Sequence, residues 1–562
     1  MKIRILLITC LWLMAFQMVF SQGGTYPTSY TVNSQIDIDT FDYEEINGSL
    51  FINGVNNLTS LSGFNTLTHI NGNLEIKNNL NLLHINGFNA LETIENSFVI
   101  DNNSQLQTID EFSSLINVGR YFTIKDCMEL TTIQGFNNLS TVGTHVSSPS
   151  QGTDRFQIIN NSDLETIEGF AELNEIEGHF YLNSNDKLEN INAFQNLEYV
   201  QANFTINDNS TLPLLTSYFQ NLSEVGLDMF IRANDDLTAI DGFPSLESVG
   251  RNFNINQNNL NLLTINGFNA LETVGGSFVI EDNPKLQTIN DLDSLVDVGR
   301  YFTINNCIKL TTIEGFNNLS TVGTYVGSPS QGTDRFQIIN NSDLETIEGF
   351  AELNEIAGHF YLNSNDKLEN INAFQNLEYV QANFTVNDNS TLPLLTSYFQ
   401  NLSEVGLDMF IRANDDLTAI DGFPSLESVG RNFRIDQNNS NLLTINGFNT
   451  LETVGSSFVI EGNPQLQTIG SFTSLNDVNR NFIINNCEEL REITGFGSLS
   501  TIGTYVSSPS QGTDRFQVVN NPDLENIEGF CSLETITGDF RIESNSNLII
   551  AESVFKNLED VK

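Results

Sequence analysis

From residue 48 onward, apolar positions fall on one recurring pattern of about 24 residues. The stretch FQIINNSDLETIEGFAELNEIEG at residues 156–178 shows it plainly: Phe156 and Ile158 stand two apart, and Asn161, Leu164, Ile167, Phe170, Leu173 and Ile176 follow at steps of three. Alternation sends Phe156 and Ile158 to the same side of an extended strand, and the later spacing fits short extended pieces separated by corners. One such unit cannot close a core. Stacked on copies of itself it can, because each apolar position then lies above its counterpart in the next coil.

The strand-leading position recurs from Leu50, Leu74, Phe98, Phe122 and Phe156 through to Phe516 and Phe540, giving twenty coils of nearly constant length. The expected fold is therefore all-β, a single parallel β-solenoid of about twenty coils over residues 48–562, rather than several globular domains. Above the coil lies a second, longer period: LETIENSFVI at 91 returns as LETVGGSFVI at 271 and LETVGSSFVI at 451. Residues 151–250 and 331–430 differ only at Glu177 against Ala357 and Ile206 against Val386. Copying whole blocks adds reach and repeats a surface without inventing a new one, which suits a rod or an adhesin better than an enzyme.

Residues 1–22 place Lys2 and Arg4 ahead of an uninterrupted apolar run that ends at Ser21 and Gln22, the anatomy of a secretory signal peptide. Cys10 lies inside that run, well before its end, which argues against a lipid-anchored precursor. Residues 23–47 lack the template and carry Ile36, Ile38 and Phe41, so a cap containing a short helical turn is expected there. At the other end Lys562 falls just short of the next strand position with no polar cap after it, so the C-terminal end is expected to be incomplete.

The net charge of −47, from 70 acidic and 23 basic residues, repels nucleic acid and anionic membranes and keeps a long molecule soluble and monomeric. No second long apolar segment follows residue 22, so no transmembrane helix is expected in the mature chain. Cys127, Cys307 and Cys487 share one template position, one in each long block, and so lie too far apart along a solenoid for a disulfide or a shared zinc. No metal or other cofactor is expected.

Asn occupies the fifth offset of sixteen of the twenty coils, among them Asn79, Asn161, Asn258, Asn365 and Asn438, with the three periodic cysteines and Val55 as the exceptions. A buried amide can donate and accept along the stack and satisfy backbone groups at a corner. Calcium ligation is the alternative, but neither a glycine-rich nonapeptide nor a twelve-residue acidic loop is present. This order of Phe-x-Ile, Asn, Leu, Ile, Gly-Phe, Leu, Ile and Gly resembles the leucine-rich-repeat superfamily, most closely its receptor L-domain branch of bacterial cell-surface type. The offset-five Asn or Cys corresponds to the Asn/Cys position of that superfamily, and SQIDIDTF at 34–41 looks like its cap. The resemblance implies a solenoid that binds through its strand face or its loops. Phe at the head of the strand and Gly-Phe in place of a helical segment depart from the common pattern, and favour an extended coil back over a helical one.

Three coils are lengthened by the inserts GTHVSSPSQGTDR at 143–155, GTYVGSPSQGTDR at 323–335 and GTYVSSPSQGTDR at 503–515. Their Ser, Pro, Gly and Asp cannot continue a strand, so each is expected to protrude, either as a tolerated loop or as a repeated ligand contact. The second alternative makes His145, Asp154, Arg155, Tyr325, Asp334, Arg335, Tyr505, Asp514 and Arg515 candidate binding residues. The outward strand position supplies another set, Tyr181, Phe230, Tyr361 and Phe410, whose rings either stack on a sugar or protein partner or are covered by neighbours. Catalysis finds little support, since the acidic residues repeat with the template and only five His are present. The expectation is a secreted or cell-surface adhesion module, outer-membrane or extracellular, that binds an extracellular protein or glycan. A structural spacer for a further C-terminal domain and a carbohydrate-degrading β-helix enzyme are the alternatives.

Overall fold

The computed structural model describes residues 23–143, 154–323, 334–396, 398–503 and 514–561. It divides into two compact units, Met1–Leu212 with Tyr218–Leu222, and Pro213–Ser217 with Ser223–Lys562. Each unit is a parallel β-solenoid.

In the first unit eight long strands stack in one sheet: Tyr30–Thr31, Leu50–Asn53, Leu74–Lys77, Phe98–Asp101, Tyr121–Lys125, Arg155–Ile159, His179–Asn183 and Phe204–Asn207. Neighbours are parallel and in register, with Phe122 opposite both Phe98 and Phe156. Short strands such as Thr93–Ile94 and Thr108–Ile109 form the remaining walls of each coil. The second unit repeats this plan with thirteen long strands, from Met229–Arg232 to Asp539–Glu543. The described residues thus hold one coil more than the twenty expected, because Tyr30–Thr31 pairs with Leu50–Phe51 and Thr25–Tyr26 pairs with Glu45–Ile46. The segment that lacks the apolar template still joins both sheets.

Among the described residues helix is nearly absent. The one α-helical stretch is Gln35–Asp39, opened by Ser34, whose N–H donates to the Asp37 carboxylate at 3.0 Å. A 3₁₀ turn at Ser62–Phe64 follows, and the coil backs are otherwise extended, as the Gly-Phe pattern indicates.

Two columns of phenylalanine run through the interior beside columns of buried Leu, Ile and Val. Phe98, Phe122, Phe156, Phe180 and Phe204 stack at 4.7–5.5 Å between ring centroids. The rings at the Gly-Phe position, Phe88, Phe112, Phe136, Phe170 and Phe194, form a second pile, with Glu111 and Ala193 in place of the glycine in two of them, and Phe122 meets Phe136 edge-on at 84°. In-register stacking within a column and edge contacts between columns both suit the quadrupole of the ring. In the second unit Leu292 takes a position in the Gly-Phe column and is fully buried.

At the end of each long strand from Leu50–Asn53 onward the chain turns through a left-handed residue, Asn160 at φ 56° and Ser184 at φ 53° for example. The turn leaves backbone groups facing inward, and the next residue satisfies them. Asn161 N–H donates to Asn185 Oδ1 at 3.2 Å, while Asn185 Nδ2 donates to the Ile158 carbonyl at 3.0 Å. The ladder corrects the simple offset at two coils. Asn259 and Asn439 are its members, fully buried, whereas Asn258 and Asn438 are exposed. An extra residue enters each of these corners, and Gln257 with Asn258, like Gln437 with Asn438, absorbs it by taking two successive positive φ values. Register is kept on both sides.

Cysteine fits the ladder because it can serve part of the same function. Cys127 N–H donates to Asn161 Oδ1 at 3.1 Å, its Sγ donates to the Lys125 carbonyl at 3.4 Å, and the Asn103 amide points at the sulfur. Burial pushes each of the Cys127, Cys307 and Cys487 thiols up to about 12. An unfolded thiol ionises near 8.5, so whatever these buried thiols contribute to stability is present below that pH and is lost as the pH rises toward 12.

Two outcomes follow from the ladder. At pH 8 iodoacetamide should modify Cys531 in the native protein but not Cys127, Cys307 or Cys487, which should label only after denaturation, as read by peptide mass spectrometry. Asn365→Leu strips partners from Asn341 N–H and the Ile338 carbonyl, each orphan costing about 1–3 kcal/mol. Asn365→Cys should cost less. Denaturant unfolding with hydrogen exchange at the Asn341 amide checks the order.

Candidate ligand-binding face

The outward face of each long-strand sheet is made by the residues between and beside the inward Phe and Ile. Next to the inserts the strands run five residues instead of four: Tyr121–Lys125, Arg155–Ile159 and His179–Asn183 in the first unit. The second unit matches them with Tyr301–Asn305, Arg335–Ile339 and His359–Asn363. The additional residue creates a further outward row, Tyr121 opposite Arg155 and Arg155 opposite His179. Its cause is local. The Asp154 carbonyl accepts the His179 N–H at 2.9 Å, and Gly178 passes so near that a Cβ there would overlap that carbonyl oxygen.

Charge is arranged closely around this row. Arg120 Nε lies 3.3 Å from Asp154 Oδ1, and Arg120 and Arg155 both lie over the Tyr121 ring, their Cζ atoms 5.2 and 5.0 Å from its centroid. In the second unit the distances are 3.3 Å for Arg300 to Asp334, and 5.1 and 4.9 Å for Arg300 and Arg335 over Tyr301. One coil further the His179 ring stacks on Tyr181 at 5.2 Å and 14°, and His359 stacks on Tyr361 at 5.3 Å and 14°. Burial raises the Tyr361 phenol above its ordinary value, with Arg335 nearby opposing the shift. Arg120, Lys125 and Lys187 have carboxylate partners, whereas Arg155 and Arg335 have none among the described residues.

The two candidate sets from the sequence therefore meet in part. Arg155 and Tyr181 occupy adjoining strands, and so do Arg335 and Tyr361. Asp154, Asp334 and Asp514 are held in ion pairs with Arg120, Arg300 and Arg480. Phe230 and Phe410 are each capped by an arginine, with Arg232 Cζ at 4.0 Å and Arg412 Cζ at 3.8 Å from the ring centroids. Phe410 also stands two coils from Tyr361, with Thr385 between. His145, Tyr325 and Tyr505 lie outside the described residues. The third copy differs: Arg515 has Asn481 in the tyrosine position, Asp539 in the histidine position, and Arg541 beside it bound to Glu543 at 2.9 Å.

Sequence reasoning missed Tyr121, Tyr301 and the preceding Arg120 and Arg300. The signal was present as GRYF at 119–122 and 299–302, one coil ahead of each DRF. A concavity of about 500 Å³ opens on a short-strand wall of the second unit and is lined by residues that include Glu355, Tyr379, Gln381 and Glu404. Its two carboxylates give it the opposite electrostatic character. Among the described residues no cluster of His, Cys, Asp and Glu is arranged to hold a metal ion, and no helix is long and apolar enough to cross a membrane.

The fold defines a parallel β-solenoid repeat protein. No family model matches the chain, and no curated protein matches it. Among solved structures it is similar to a leucine-rich repeat protein from Bacteroides ovatus, at 13% identity and a TM-score of 0.30, over 79% of this chain and 87% of that one. It is also similar to YopM from Yersinia enterocolitica, at 14% identity and a TM-score of 0.17, over 88% and 87%.

A Cβ at Gly358 would likewise overlap the Asp334 carbonyl. Gly358→Ala should therefore destabilise the coil by about 1–3 kcal/mol, the usual cost of overpacking, and disturb the Arg335 row. Thermal melting together with exchange at the His359 amide measures both.

Proposed function

We propose that the chain is a secreted or cell-surface, non-catalytic binding protein of the receptor L-domain kind, with residues 1–22 as its export signal and 23–47 as its cap. It engages an extracellular glycan or protein through the outward face beside the inserts. The observation that carries this reading is the arginine–tyrosine row itself. Arg155 and Arg335 project from the five-residue strands, beside a half-buried tyrosine, and among the described residues no internal ion pair consumes them. Placing the same row on two copied blocks lets weak contacts act together on a polymeric ligand, so that avidity rather than a deep pocket supplies affinity.

A glycan and extracellular-protein array probed with residues 23–562 should capture the chain, and Tyr181→Ser with Tyr361→Ser should lower that capture at least tenfold while leaving the melting temperature nearly unchanged. A second variant trimmed of the inserts separates face from loops. Capture lost only on trimming moves the site to the inserts, and no capture of any form overturns the binding reading in favour of a spacer.

A further inference from the structure

The ligand class can be narrowed on the basis of that reading. Basic groups are scarce, 23 against 70 acidic, and in both units most described cations near the face are already paired: Lys77 with Glu75, Lys125 with Asp101 and Asp126, Arg412 and Arg434 with Asp436, Arg431 with Asp408. Arg155 and Arg335, at matching positions, have no carboxylate partner among the described residues, like Arg515 in the third copy and Arg232, which lies over Phe230. Arg155 and Arg335 are each steadied over a tyrosine ring, which orients the guanidinium without neutralising it. A planar fork held in this way fits a carboxylate better than a point charge does.

The surroundings restrict what carries that carboxylate. Asp154 and Asp334 are taken up by Arg120 and Arg300, which leaves a single uncompensated guanidinium in each cluster on a chain of net charge −47, so a closely spaced polyanion is repelled by the molecule as a whole. One coil on, the Oδ1 atoms of Asn183 and Asn363 are buried acceptors with no hydrogen-bond partner, and they share their strands with the stacked Tyr181 and Tyr361. An isolated anion, hydroxyl donors for the amide oxygens and a flat ring for the tyrosine are together the chemistry of an acidic sugar within a neutral chain.

We propose that the Arg155–Tyr181–Asn183 and Arg335–Tyr361–Asn363 clusters each bind a uronate residue of a polysaccharide that alternates acidic and neutral sugars. The carboxylate meets the guanidinium, and the asparagine side chain turns its unpaired, buried oxygen outward to accept from a hydroxyl of the neighbouring sugar. The Arg515 copy, which lacks the tyrosine and the histidine and carries Asp539 and Glu543, is not a site of this kind.

Calorimetric titration of residues 23–562 with a hyaluronan octasaccharide, its methyl ester and poly-L-glutamate tests the assignment. The octasaccharide should bind, its affinity should fall at least tenfold on esterification and on Arg155→Gln with Arg335→Gln, and Arg515→Gln should change it less than twofold. Equal binding of the ester, no effect of the double substitution, equal or tighter binding of poly-L-glutamate, or no binding of the octasaccharide overturns the proposal. Should the double variant fail to fold, as judged by circular dichroism, the ester comparison on the unaltered chain decides by itself. Failure here with capture on the array removes only the ligand class, whereas absence of any capture removes the binding reading as well.

Discussion

The structure depends on how a parallel β-coil turns its first corner. A strand that must leave the sheet after four or five residues points peptide groups into an apolar interior, where an unmet donor or acceptor is costly. Left-handed residues such as Asn160 and Ser184 make the turn, and the asparagine after each one fastens its coil to the coil before it. Because the side-chain amide both donates and accepts, the same residue type can repeat without limit. The columns of phenylalanine, leucine, isoleucine and valine supply the buried apolar surface, but the amides decide where each ring stands.

That division of roles explains which exchanges the fold accepts. Leu292 replaces a ring in a column and keeps the interior filled, because a column asks only for apolar volume. The corner asks for hydrogen bonds. It admits cysteine, whose sulfur receives the Asn103 amide and whose own backbone remains bound to Asn161. It admits Val55 in the first unit, where the Val55 N–H still reaches Asn79 Oδ1 at 3.0 Å.

Most of the fold was legible in the sequence because the stacking that creates the core also creates the repeat. The inward Phe and Ile, the extended back and the amide ladder each have a fixed position in the repeating unit. The ladder's slip to Asn259 and Asn439 was not legible, since adjacent asparagines at 258 and 259 satisfy the pattern equally and only the doubled left-handed corner distinguishes them. The strands at 25–26 and 30–31 were missed for a related reason: they contribute backbone pairing to the sheet, with little of the apolar periodicity that reveals a coil. At the candidate face the sequence singled out Arg155 and Tyr181 separately. Their adjacency depends on strand register and on the extra outward row that Asp154 and Gly178 create, and no spacing along the chain expresses that.

The long copied block ends on coils equivalent to those on which it begins, so the junctions LETIENSFVI, LETVGGSFVI and LETVGSSFVI are interchangeable in frame. Unequal recombination between them joins surfaces that are already complementary, and the gain or loss of a whole block poses no new folding problem. The number of copied surfaces can thus change in single steps. A copy whose outward row differs, as the Arg515 block does with Asn481 and Asp539 at its flanks, keeps its place in the stack because its inward positions remain apolar.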